Sequence, residues 1–293
     1  MTSSSKDSYI SSGTGIFIRD KNALTISFAL IGVAAISWIA SYYLMPIMMM
    51  SGSTPDMTVM MMANTGLAAI VSSSFPLSTP AIVLFEVVWI VGMMAMMFPA
   101  MIPIVLFYNK VSSKLALKTR LARMVGTPLF LSGYLVAYGI LGLGAYISVY
   151  FALNLSMLFS SGLLLSVFSV IAPAAILVAT GVYQFTPLKF KCLSGCVSPI
   201  GFFATKSQKG LFGSIRMGFS HGVYCVGCCV LYMLVMLVVG AMSIPIMALL
   251  AGVIALEKVI VRGSVWFGRI VGFAFILSGI MVLAFPNLLM LVQ

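Results

Sequence analysis

Apolar stretches long enough to cross a bilayer recur from residue 23 to the C-terminus, and nearly every charge is confined to the short segments between them. This pattern leaves few folds open. Without water in the hydrocarbon, backbone amides must bond within their own segment, so such a chain folds as a bundle of transmembrane helices. Composition agrees: 62% of the 293 residues are hydrophobic and only 7% are charged. No ordinary soluble domain has that balance. The expected architecture is all-α and polytopic, with seven spans near 23–48, 81–107, 127–153, 161–185, 217–241, 243–261 and 265–290. Residues 1–22 form a polar tail. Residues 23–293 form one transmembrane domain, with an outer loop over 49–79 and a cytoplasmic loop over 186–216.

Charge sets the expected orientation. The basic residues fall in the tail (Lys6, Arg19, Lys21), in 109–126 (Lys110, Lys114, Lys118, Arg120, Arg123), in 186–216 (Lys189, Lys191, Lys206, Lys209, Arg216) and around the sixth connection (Lys258, Arg262, Arg269). Seven spans with a cytoplasmic N-terminus and an external C-terminus put all sixteen on the inner side, as the positive-inside rule requires. Reading the apolar 57–71 stretch as an eighth span would break this, so it is expected to lie on the surface or to re-enter. The net charge of +11 is then loop charge at a cell membrane and implies no nucleic-acid partner.

The residues with chemistry to offer are few. His221, the chain's single histidine, precedes Cys225, Cys228 and Cys229 within one apolar stretch. At ~100° per residue, Cys225 lies ~40°, Cys228 ~−20° and Tyr232 ~20° from His221, with Cys229 at the edge near ~80°. Buried cysteine is often only a small hydrophobe. Three in five residues, one turn above a histidine, make a soft donor set suited to Cu(I), and less well to zinc. In the second span Met93, Met94, Met96 and Met97 form a thioether stripe at a comparable depth, although methionine is also common filler. Glu86, in the same span, has three readings: an entry ligand, a proton acceptor or a structural partner. Met45, Met48, Met49, Met50, Met57, Met60, Met61 and Met62 make the outer loop either a capture surface or an interfacial helix. Cys192 and Cys196 face the cytoplasm in this reading, either as a second ligand pair or as idle thiols. One histidine and five acids leave no Ser-His-Asp set and no paired carboxylates, so hydrolysis is not expected.

Several of these pieces occur together in Trp89…Met93-Met94-Ala-Met96-Met97-Phe-Pro99, in Tyr183-Gln184…Cys192-Leu-Ser-Gly-Cys196, in Arg216…His221-Gly222…Cys225-Val-Gly227-Cys228-Cys229 and in Glu257-Lys258. Over roughly 80–285 the chain thereby resembles the predicted metal-binding integral membrane proteins of bacteria and archaea, a domain of unknown function. The resemblance implies a copper-handling membrane protein and transfers no settled activity. Three functions remain open. The first is a Cu(I) protein that transports copper or delivers it to a membrane or extracytoplasmic cuproenzyme. The second is a non-catalytic accessory subunit of a larger complex, such as a copper-dependent monooxygenase. The third is a thiol redox protein.

Overall fold

The computed structural model describes residues 21–50, 79–112, 120–158, 162–206, 208–239, 244–261 and 264–285. All elements among them are helical: α1 (Lys21–Met50), α2 (Thr79–Ser112), α3 (Arg120–Leu158), α4 (Gly162–Tyr183), α5 (Pro187–Val197), α6 (Pro199–Lys206), α7 (Gly210–Val239), α8 (Ile244–Ala255), a π-helical turn (Leu256–Ile260) and α9 (Val265–Ala284). The expected outer loop, with Met57, Met60, Met61 and Met62, lies outside the described residues, as does the tail over 1–20.

Five segments are long and apolar enough to cross a membrane: Ala23–Leu44, Ile82–Ser112, Val125–Phe151, Gly210–Val238 and Val265–Ala284. A sixth consists of Ile171–Tyr183 joined to Pro187–Val197 across a 70° bend. The local sequence produces that bend. Proline cannot donate an amide and pushes the residue before it out of the helical region. Thr186 therefore leaves α4 and caps α5, its side chain accepting from the Lys189 amide, with Pro187 in the first turn.

Two tight seams join the long helices. On α7, Gly218 and Gly222 sit one turn apart against α3. A Cβ on Gly218 would lie 1.8 Å from the Phe130 carbonyl oxygen, and one on Gly133 would lie 2.1 Å from that of Ile215. Small residues at such spacing let helix backbones approach closely, which is how packing gains energy where no water drives association. Gly181, Gly272 and Gly279 make the corresponding seam between α4 and α9. Gly218→Ala is expected to force α3 and α7 apart and cost about 1–3 kcal/mol or more. Thermal unfolding in detergent should show a clear loss, while Gly144→Ala, where nothing lies within 4 Å, should be tolerated. Equal melting of the two variants would remove the seam from the account.

The polarity of the bundle departs from expectation. Large apolar side chains such as Phe28, Phe151, Ile200, Trp266 and Ile280 face outward, whereas Lys189, Gln184, His221, Glu257 and Lys258 are buried. The 186–216 segment is no solvated loop. Its helices α5 and α6 turn Lys189, Leu193, Phe202 and Phe203 into the core. The expected sixth span resolves into α8, twelve residues long, continued by the π-helical turn. Twelve α-helical residues rise only about 18 Å, short of a ~30 Å hydrocarbon core.

Candidate metal centre

Three thiols converge where α5 meets α7. Cys225 and Cys228 point inward from α7 at 1% and 2% exposure, and Cys196 reaches them from α5. Their Sγ atoms all lie within 4.8 Å of one another. Three sulfurs around one metal at ~2.3 Å in a trigonal arrangement would stand ~4.0 Å apart, so the cluster is close to ligand spacing. Glycine makes the approach possible. A Cβ on Gly195 would meet the Tyr224 ring at 2.9 Å, and one on Gly227 would meet Cys192 Sγ at 2.6 Å.

The surroundings of Cys225 are polar in an otherwise apolar core. Lys258 Nζ donates to its Sγ at 2.8 Å, and Tyr134 Oη lies 3.2 Å away. The same ammonium lies 3.9 Å from Met97 Sδ. Cys228 Sγ donates to the Cys225 carbonyl at 3.1 Å and touches Cys229 Sγ at 3.3 Å. His221 stands at the edge, with Nε2 4.0 Å from Cys196 Sγ. The rings of Phe130, Tyr134 and Phe202 enclose its imidazole, and its Nδ1 is buried without a partner among the described residues. A buried nitrogen left unpaired in apolar surroundings costs free energy that a metal or a small shift toward sulfur would recover.

The helix therefore brings Cys225 and Cys228 together as their spacing predicts, with His221 beside them. Cys196 belongs to this cluster and not to a separate cytoplasmic site, because the bend before α5 turns it back into the bundle. Cys192 is half-buried against Gly227, and Cys229 contacts Cys228 at the margin. Of the α2 methionines, Met97 is tied to the centre through Lys258, while Met93 and Met96 fill the core and Met94 is half-buried. Met45, Met48, Met49 and Met50 belong to α1, but their side chains lie outside the described ones. Glu86 is eleven residues before Met97 on α2, about 16 Å along the axis. Its carboxylate lies beside Trp89 and Gly142, and Oε1 is buried without a hydrogen-bond partner among the described residues.

Glu86 is also not alone as an acid in the apolar core. Glu257 is 2% exposed and pairs with Lys189 at 2.7 Å. Lys189 also donates to Gln184 and, at 3.1 Å, to Tyr232 Oη. Gln184 donates to the same oxygen at 2.5 Å, and Tyr232 donates to Glu257 at 3.3 Å. Every charge in this network has a partner, as burial demands. Tyr232 thus serves the ion pair, although its angle on α7 groups it with the thiols. Lys258, Tyr134 and the Lys189–Glu257 pair were not singled out by sequence. The available signal was Glu257-Lys258, two adjacent charges closing an apolar stretch with no polar run around them.

Long apolar helices folded around buried thiols, with an ammonium at their side, define a membrane-type helical protein with a soft-metal centre. Residues 86–282 match the family model PpoB2, described as a copper chaperone, and the chain belongs to that family. The match covers about two thirds of the chain and includes every residue of the centre. No curated protein and no solved structure matches the chain. The family's description and the thiol cluster both fit copper binding.

Proposed function

We propose that this protein is a multi-pass cell-membrane copper chaperone that holds Cu(I) on Cys196, Cys225 and Cys228 and passes it to a membrane or extracytoplasmic cuproenzyme. The observation that carries the reading is the convergence of three thiols from two helices at ligand spacing. Thiolates stabilise the cuprous over the cupric ion and outcompete harder donors for it. His221 supplies an imidazole donor at the rim, suited to an ion arriving or leaving, and Met97 lies within 3.9 Å of the same Lys258 ammonium that contacts Cys225. The N-terminus is cytoplasmic in this reading. Lys189 and Lys258 no longer count as loop charge, but the basic residues of 109–126 and of the tail still fall on one side under that topology.

The Cys228–Cys229 contact bears on a thiol redox alternative. A disulfide needs its sulfurs ~2.05 Å apart and a Cβ separation near 3.8 Å. The two cysteines instead point ~100° apart on an unbroken helix. Closing that bond would unwind α7 at the site itself, which disfavours a redox cycle on the Cys228–Cys229 pair.

X-ray absorption at the copper edge on purified protein loaded with about one equivalent of Cu(I) tests the ligand set. A first shell dominated by sulfur is expected in the wild type. Cys196→Ser should lose one sulfur scatterer and weaken retention roughly tenfold to a hundredfold. An oxygen- and nitrogen-rich shell, or a Cys196→Ser spectrum identical to the wild type, would refute the site.

A further inference from the structure

The ion pair accounts for Lys189 and Glu257, but among the described residues no carboxylate pairs with Lys258. Its Nζ is directed at sulfur: 2.8 Å from Cys225 and 3.9 Å from Met97. The backbone that presents it is unusual. Leu256–Ile260 is a π-helical turn, a form that inserts an extra residue into a helix and recurs at functional sites. Glu257, immediately before, is anchored to Lys189 at 2.7 Å, so the turn is held from the other side. Lys258 is 7% exposed, and little water is at hand to screen its charge.

We infer that Lys258 determines the charge of the ion the thiol centre accepts, favouring singly charged soft ions over divalent ones. The inference rests on the proposed thiolate site. A metal bound ~2.3 Å from Cys225 Sγ lies no more than ~5.1 Å from the ammonium, given their 2.8 Å contact. At that range two like charges repel strongly in a protein interior, and the repulsion on a divalent ion is twice that on Cu(I). With all three cysteines ligating as thiolates, the Cu(I) complex carries a charge of −2 and a divalent one −1, so the ammonium attracts the Cu(I) complex more strongly. Zinc, which thiolates bind readily, is the natural competitor. On the same three thiolates the second charge of zinc is opposed by the ammonium at that range, and the discrimination is on the order of 100-fold. Lysine suits the role because its charge is compact and its stem is apolar enough to be buried along its length.

The experiment measures Cu(I) and Zn(II) affinities of the full chain in detergent at pH 7, using competing chelators, for wild type, Lys258→Met, Lys258→Gln and Lys258→Arg. The two neutral variants are expected to lower the Cu(I)-to-Zn(II) affinity ratio about 100-fold, mostly by gaining zinc, while arginine keeps it within about tenfold. A ratio unchanged to within about threefold in whichever neutral variant keeps the wild-type melting profile would overturn the inference. So would equal loss of discrimination in the arginine variant, since packing and not charge would then be responsible. A wild type that binds no Cu(I) would sink both the site and its selectivity. A wild type that binds it with an indifferent Lys258 would sink the selectivity alone.

Discussion

Cys225→Ser combined with Cys228→Ser should abolish Cu(I) retention, lowering affinity by a factor on the order of a thousand or more. The pair supplies two of the three sulfurs within 4.8 Å, and both ride on α7, so nothing else in the cluster replaces them. A serine hydroxyl is a hard donor that stays protonated at neutral pH and offers Cu(I) almost nothing. The substitution is nearly isosteric, and serine within a helix bonds back to a preceding carbonyl at little cost. The double variant should therefore fold, and copper per chain after chelator competition can be compared at equal helicity. Cys229→Ser is the internal control. Its sulfur meets Cys228 at 3.3 Å but is not one of the three, so retention should stay within about tenfold of wild type. Copper contents that are equal in wild type and double variant would end the case for this site.

The second large effect falls on stability. Glu257→Gln removes the partner of Lys189, whose ammonium is fully buried. Breaking a buried pair from one side costs roughly 3–5 kcal/mol, because a charge is left without compensation. Tyr232 exchanges a carboxylate acceptor for, at best, a neutral amide oxygen. Replacing both charges, Lys189→Met with Glu257→Met, leaves no orphaned charge and should restore most of the lost stability, since isolated buried pairs contribute little net free energy. Thermal unfolding of Lys189→Met, Glu257→Met and their double forms a cycle with a large coupling term. Additive effects would show that the pair is not an energetic unit. Because the π-helical turn carries Lys258 next to Glu257, the single variant should also lower copper occupancy.

What could be read in advance followed from locality. Apolar runs of spanning length depend only on neighbours in sequence, and they marked the long helices. Cys225 and Cys228 share a face of one helix, so a rotation of 100° per residue was enough to pair them. Cys196 depends on where the chain goes after Tyr183. Its depth followed from the low hydropathy of 186–216, which suggested a solvated loop, whereas a short helix with one buried face carries it inward. The same assumption concealed Lys189 and Lys258. Counting basic residues by side of the membrane treats each as hydrated, and no local pattern distinguishes a lysine in water from one whose carboxylate lies 68 positions away. The reach of Met97 toward Lys258 is likewise tertiary, and its three neighbours in the stripe look identical in sequence.

The 70° bend between α4 and α5 gives the thiol cluster a mechanical division of labour. Cys225 and Cys228 are fixed to one another by a single turn of α7, so the distance between their backbones does not change while that helix persists. Cys196 rides on a short arm with its own cap at Thr186 and its own start at Pro187. That arm is held by contacts of its own, among them the Lys189–Glu257 pair, so its sulfur depends on packing that the other two do not need. The chain thus separates two donors fixed by one helix from a third that a different element supplies.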